Sequence, residues 1–219
     1  MAKEFYLPYL IKYCPAVPEE MVIMGVAMLT AVMVSAEGQG FVATLLGDAV
    51  AGKKDRLHFN VFLHLSLLGT INFFVAGFGW PKEVRIDKEN FKVYPRLFLF
   101  LSRCAGPVAN LLMANIAASI VWILGRWGVE DQVFSAIVVV NVTMALYGLL
   151  IIPPLPGFGL VAALLPEKVM KTRGMQLLQS GGPFLVVISF LLIRISGYQG
   201  VGAFFNPVVR AVTDFMLHI

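Results

Sequence analysis

Glu37 and Gln39 stand inside an otherwise apolar run, in the stretch SAEGQG from Ser35 to Gly40. An ionisable side chain in a membrane-crossing helix costs ~3 kcal/mol on insertion scales, so it is a functional candidate by default. Three roles are open to it. Glu37 could join His64 and water as a metal site, because carboxylate and imidazole both ligate transition metals. Glu37 and Gln39 could contact a bound partner. Or they could hydrogen-bond between helices as structural glue, with Glu37 paired to Arg103, protonated, or turned into a wet cleft. Spacing favours the glue. Ser35 and Gln39 are four apart and share a helix face, whereas Glu37 is two from each and points away from it. His64 is expected to bond within the core. Gly38, Gly40, Gly106 and Pro107 are expected to permit a close helix crossing, with Asn110 satisfying backbone groups that Pro107 frees. Asp48 is expected to cap its helix or to pair with Arg56 at the surface.

These residues need a frame, and the composition says which. The chain has 219 residues, of which 58% are hydrophobic and 14% charged, with a net charge of +4. Its mean hydropathy is +0.81. Soluble domains carry about 25% charged residues, so the expected class is an all-α polytopic membrane protein with one membrane domain over 1–219. Four segments reach the roughly 20 apolar residues a span requires: 21–46, 97–127, 133–152 and 176–196. A fifth, 60–77, is borderline and either crosses or re-enters. Period-two alternation in DRLHFN (55–60) and EVRIDKENFKVY (83–94) predicts a small β-hairpin or sheet at the cytoplasmic face. Its edge could accept a strand from a partner. Residues 1–20 read as an amphipathic lead-in without the features of a signal peptide. The last segment places Val201, Phe204, Phe205, Val208, Val209, Val212, Phe215 and Met216 on one stripe, as in an interfacial helix. His218 at its end is expected to be solvated.

Charge sets the orientation. Eight basic residues between 48 and 96, and Lys168, Lys171 and Arg173 later, share one cytoplasmic face if 60–77 does not cross. That trio is suited to anionic lipid, and Trp80 and Tyr94 to the aromatic belt. No basic run with interleaved aromatics points to nucleic acid. Cys14 and Cys104 suggest no disulfide framework. The expected partners are the bilayer and a transmembrane protein or another membrane-complex subunit.

Several short motifs recur in a recognisable order: Gly47-Asp48, RLHFN (56–60), His64, Gly69-Thr70, GFGWPKEV (77–84), AGPVAN (105–110) and PPLPG (153–157). This set resembles the site-2 protease family of intramembrane zinc metalloproteases, in its small branch, over about residues 21–165. Residues 166–219 would add a further span and the interfacial tail. The resemblance implies a His-Glu-x-x-His motif on the first core helix, with two zinc ligands and a general base. It also implies an Asp-Gly motif supplying the third ligand. On this chain the two His positions fall on Ser35 and Gln39, the base on Ala36, and the Asp on Pro156 before Gly157. Ala43 matches a small residue, while an upstream Asn falls on Gly148 and an Asp-Pro pair on Ser66-Leu67. Hydroxyl, amide, methyl and pyrrolidine are poor zinc donors. The expectation is therefore no catalytic residue, no metal and no cofactor. The implied protein is a pseudoprotease of a prokaryotic cytoplasmic (inner) membrane that binds or scaffolds a membrane partner. Two alternatives stand beside it: an active intramembrane metalloprotease with unusual ligands, and a structural subunit of a larger membrane complex.

Overall fold

The computed structural model describes residues 18–48, 60–197 and 200–217. Among them the regular elements are helices, with one isolated bridge and no strand. Helix α1 (Pro18–Leu45) begins with Glu19 and Glu20 in its first turn, where carboxylates favour the positive helix end. The last residues of the expected lead-in therefore belong to the first span, and residues 1–17 lie outside the described residues. Gly47 ends α1 with φ +117, a conformation that only glycine adopts readily. Ala27, Ala31, Ala36 and Ala43 are fully buried. Small side chains at these positions let α4 (Pro95–Arg126) and α5 (Val133–Tyr147) close on α1 to form the bundle centre.

Among the described residues three helices are long and apolar enough to cross a membrane: Glu19–Leu45, Pro95–Arg126 and Arg173–Ser196 (the last is α8). The fourth expected span is shorter. Helix α5 has 15 residues, about 22 Å at 1.5 Å per residue, against a hydrocarbon core of about 30 Å. Gly148 ends it, and the chain folds back so that Gly157 N–H donates to Gly148 O at 2.7 Å. A side chain at Gly157 would stand 2.1 Å from Leu149 O, so this turn requires glycine. Twelve of the fifteen α5 residues are buried, because α9 (Gly202–Leu217) lies on it from one side and α1 and α4 from the others. The α9 stripe is divided. Val209 is buried and Phe205 packs on Tyr147, whereas Phe204 and Phe215 are exposed. Asn206, placed off the stripe by sequence, accepts from Tyr147 Oη at 2.6 Å. His218 lies outside the described residues.

The borderline segment turns back on itself. Helices α2 (Val61–His64) and α3 (Leu67–Ala76) are followed by a left-handed turn at Gly77. Leu65 then bridges to Pro81, and Lys82 N–H donates to His64 O at 2.6 Å. The two ends of the loop meet, and α3 at about 15 Å reaches only half the core thickness. Asn72 Nδ2 pins the returning chain through Phe78 O at 2.8 Å. Arg194 of α8 donates to Phe74 O and Val75 O at the end of α3. Phe78 stacks on Tyr147 at 4.6 Å and meets Phe190 edge-on at 4.9 Å, which ties the loop to α5 and α8. Trp80 is 3% exposed and belongs to this core rather than to an interfacial belt; Tyr94 is exposed.

The expected hairpin does not form within the described residues. The other expected strand, 55–60, falls mostly on residues outside them, and Asn60 instead caps α2 by accepting from Phe62 N–H. From Pro81 to Tyr94 the chain is irregular apart from a 3-10 turn at Lys88–Asn90. Side chains take the backbone groups that a partner strand would have used. Asp48, fully buried rather than at the surface, accepts from Asp87 N–H (3.0 Å) and Asn90 Nδ2 (2.6 Å). Arg103 donates to Val84 O at 3.2 Å.

Candidate functional site

Ser35, Ala36, Glu37 and Gln39 are all buried, and they look in two directions. Ser35 and Gln39 face α4 at Gly106, where a side chain would meet Gln39 Nε2 and Ser35 Oγ at 2.9 Å each. Gly38 packs beside them against Ala105 and Ala109. Glu37 faces the returning loop instead, and its Oε1 lies 2.9 Å from His64 Nε2. Both side chains of that pair are buried, so it joins α1 to α2 within the core. The expected partner of Glu37, Arg103, is engaged elsewhere.

Arg103 stands beside Gln39, one of the positions where the resemblance would place a zinc ligand. Gln39 Nε2 turns back to donate to Ser35 O at 3.3 Å. That leaves Gln39 Oε1 to accept from Arg103 Nη1 at 3.2 Å. The same Nη1 donates to Val84 O, and Nη2 reaches Glu83 Oε1 at 3.0 Å. Gly159 of α6 (Pro156–Leu164) makes room, since a side chain there would stand 3.3 Å from Arg103 Cδ. These groups open into a cleft of about 560 Å³ lined by Gln39, Val84, Arg103, Pro156, Phe158 and Gly159 among others. Two of the positions that the resemblance singles out, Gln39 and Pro156, are thus brought together there. Ser35 and Ala36 lie beneath Gln39, while Glu37, His64 and Asn110 do not line the cleft. Asn110 is buried and its Oδ1 meets no donor, and no bond from it to the α4 backbone appears among the described residues.

Zinc does not fit this donor set. Pro156 and Ala36 bring no ligand atom, Ser35 is a neutral hydroxyl, and both polar atoms of the Gln39 amide are committed. A guanidinium stays protonated at any physiological pH. Held at hydrogen-bond distance from Gln39, it would repel a divalent cation. Among the described residues no three His, Cys, Asp or Glu side chains converge, and Glu37 with His64 stops at two.

At the mouth of the cleft Lys88 pairs with Glu167 of α7 (Glu167–Met170), and Lys171 adds a contact at 3.4 Å. Lys88, by hydrogen bond and charge, and then Lys171 hold the Glu167 carboxyl below its ordinary range. Sequence reasoning undervalued Arg103. The signal was present: it is a cation inside an apolar helix, four residues before Pro107, whose missing N–H leaves the Arg103 carbonyl without its helical donor.

No family model matches the chain, and no solved structure matches it. The chain is 37% identical over 138 residues to a protein of Bacillus subtilis (strain 168) named "Putative zinc metalloprotease YwhC". The match covers 59% of this chain and 63% of that protein, so the chain spans less than two thirds of its relative's length. This similarity supports a site-2 protease-like relationship for the ordered motifs, and the three long apolar helices mark the chain as an integral membrane protein.

Proposed function

We propose that this protein is a site-2 protease-like pseudoenzyme that binds a transmembrane or extended segment of a partner without cleaving it. The observation that carries the reading is the Gln39–Arg103 hydrogen bond. It sets a permanent cation beside a neutral amide, where a hydrolytic metal centre would need open, anionic or imidazole donors. Around it the frame persists: a close α1–α4 crossing, a re-entrant loop, and a cleft large enough for a few side chains. The irregular stretch from Pro81 to Asp87 runs along the cleft and lines it with Pro81, Glu83, Val84 and Ile86. We propose a prokaryotic cytoplasmic (inner) membrane as its location, a reading supported by the long apolar helices and by the bacterial source of the relative.

The test uses the full chain in phosphatidylcholine nanodiscs and a dye-labelled Leu-Ala peptide of about 20 residues, long enough to span. Saturable binding near one peptide per chain, unchanged by chelator and without cleavage, is expected. Chelator-sensitive cleavage, or partition no greater than into empty nanodiscs, would overturn the proposal.

A further inference from the structure

The cleft holds a cation at its inner end, and Glu83, a carboxylate that pairs with it, is poorly placed to stay. Arg103 has 15% of its side chain exposed, whereas Glu83 has 79%. The contact between them uses one guanidinium nitrogen, Nη2, on one carboxylate oxygen, while Nη1 is turned inward to Gln39 and Val84. An ion pair with one partner so exposed contributes little net stability, because water screens it. A carboxylate brought deeper into the cleft would be shielded from water by Leu99, Leu155 and Phe158. In that setting charge-assisted bonds to guanidinium strengthen and can become bidentate.

We infer that the cleft is a receptor for an acidic side chain on a membrane polypeptide, whose carboxylate replaces Glu83 on Arg103. The inference rests on the proposed partner-binding role of the cleft and adds the chemistry of the partner. Charge agrees with it. Among the described residues, four basic side chains (Lys88, Arg96, Arg103, Lys171) and three acidic ones (Glu83, Glu89, Glu167) line the cleft, an excess of one positive charge that suits a single carboxylate. Depth favours a peptide over a lipid headgroup, since Arg103 lies about 12 Å along α4 from its first residue. The present occupant is itself a peptide carboxylate, carried on a non-helical stretch.

Two labelled Leu-Ala peptides in phosphatidylcholine nanodiscs, identical except for one Glu or one Gln near the end, decide the matter. The Glu peptide should bind the full chain about tenfold more tightly than the Gln peptide, as expected for a bond to a charged group. Glu83→Gln, a change at an exposed side chain, should tighten the Glu peptide severalfold and leave the Gln peptide unchanged. Arg103→Met should erase the preference while the Gln peptide still binds. Equal binding of both peptides to the wild type and to Glu83→Gln would overturn the carboxylate receptor and leave the cleft-binding function standing. Saturable binding of neither would overturn both. Loss of the preference when phosphatidylglycerol replaces half the lipid would assign the site to headgroups and refute the inference.

Discussion

Replacing Gly38 with alanine adds one methyl group where α1 crosses α4. Its Cβ would stand 2.7 Å from Ala109 Cβ and 3.1 Å from Ala105 O. Non-bonded carbons normally rest about 3.5–4.0 Å apart. Neither neighbour is the free end of a long side chain, so the two helices must part by roughly 1 Å. Overpacking of this kind costs about 1–3 kcal/mol. Alanine returns up to about 1 kcal/mol of helix propensity. The net loss should be about 1–2 kcal/mol, a factor of roughly 5–30 in the folded population. The same separation would lengthen the Gln39–Arg103 bond, because Gly106 packs on Gln39 in the next turn of the crossing. Gly25→Ala is the control: it lies on the same helix with nothing within 4 Å, and should be neutral or stabilising. Equilibrium unfolding in mixed micelles with graded dodecyl sulfate measures both. The reasoning fails if Gly38→Ala is as stable as Gly25→Ala, or if adding Ala109→Gly recovers none of the loss.

The buried Glu37–His64 pair gives a second test. Glu37→Leu or His64→Leu breaks this contact and should cost about 3 kcal/mol, whereas the double change should cost less than the sum by about 1–3 kcal/mol; additive losses would show that the two do not interact. The rim clamp should depend on pH in one direction. Lys88 and Lys171 depress the Glu167 carboxyl, so the clamp is present above the ordinary carboxylate range near pH 4 and is lost as pH falls through the lower folded value. Carbon-13 titration of Glu167 should give a midpoint below that of a free Glu, rising toward it in Lys88→Gln. A midpoint at or above the free value would refute the clamp.

The membrane class and the long spans at α1, α4 and α8 could be read from apolar run length, while the distribution of Lys and Arg left 60–77 open between crossing and turning back. Those signals follow from bilayer thickness and leaflet charge, which act on segments rather than on particular contacts. Segment length misled at α5, because a helix enclosed by α1, α4 and α9 is as apolar as a lipid-facing one while needing fewer residues. Alternation misled at 83–94, because period two records which side chains are buried and not where the backbone groups bond. There Asp48 and Arg103, distant in sequence, supply the partners. At the site, helical spacing separated Glu37 from the Ser35–Gln39 face correctly. It could not say that His64 would meet Glu37, or that Arg103 would swing to Gln39, since both depend on how the loop and α6 pack.

Zinc analysis of the purified full chain, supplied with zinc and then freed of loosely held metal, probes the central claim most directly. With Arg103 bonded to Gln39 and no ligand atom at Ala36 or Pro156, a small fraction of one zinc per chain is predicted for the wild type, and the same for Gln39→Ala. One zinc per chain that disappears in Gln39→Ala or His64→Ala would contradict the account.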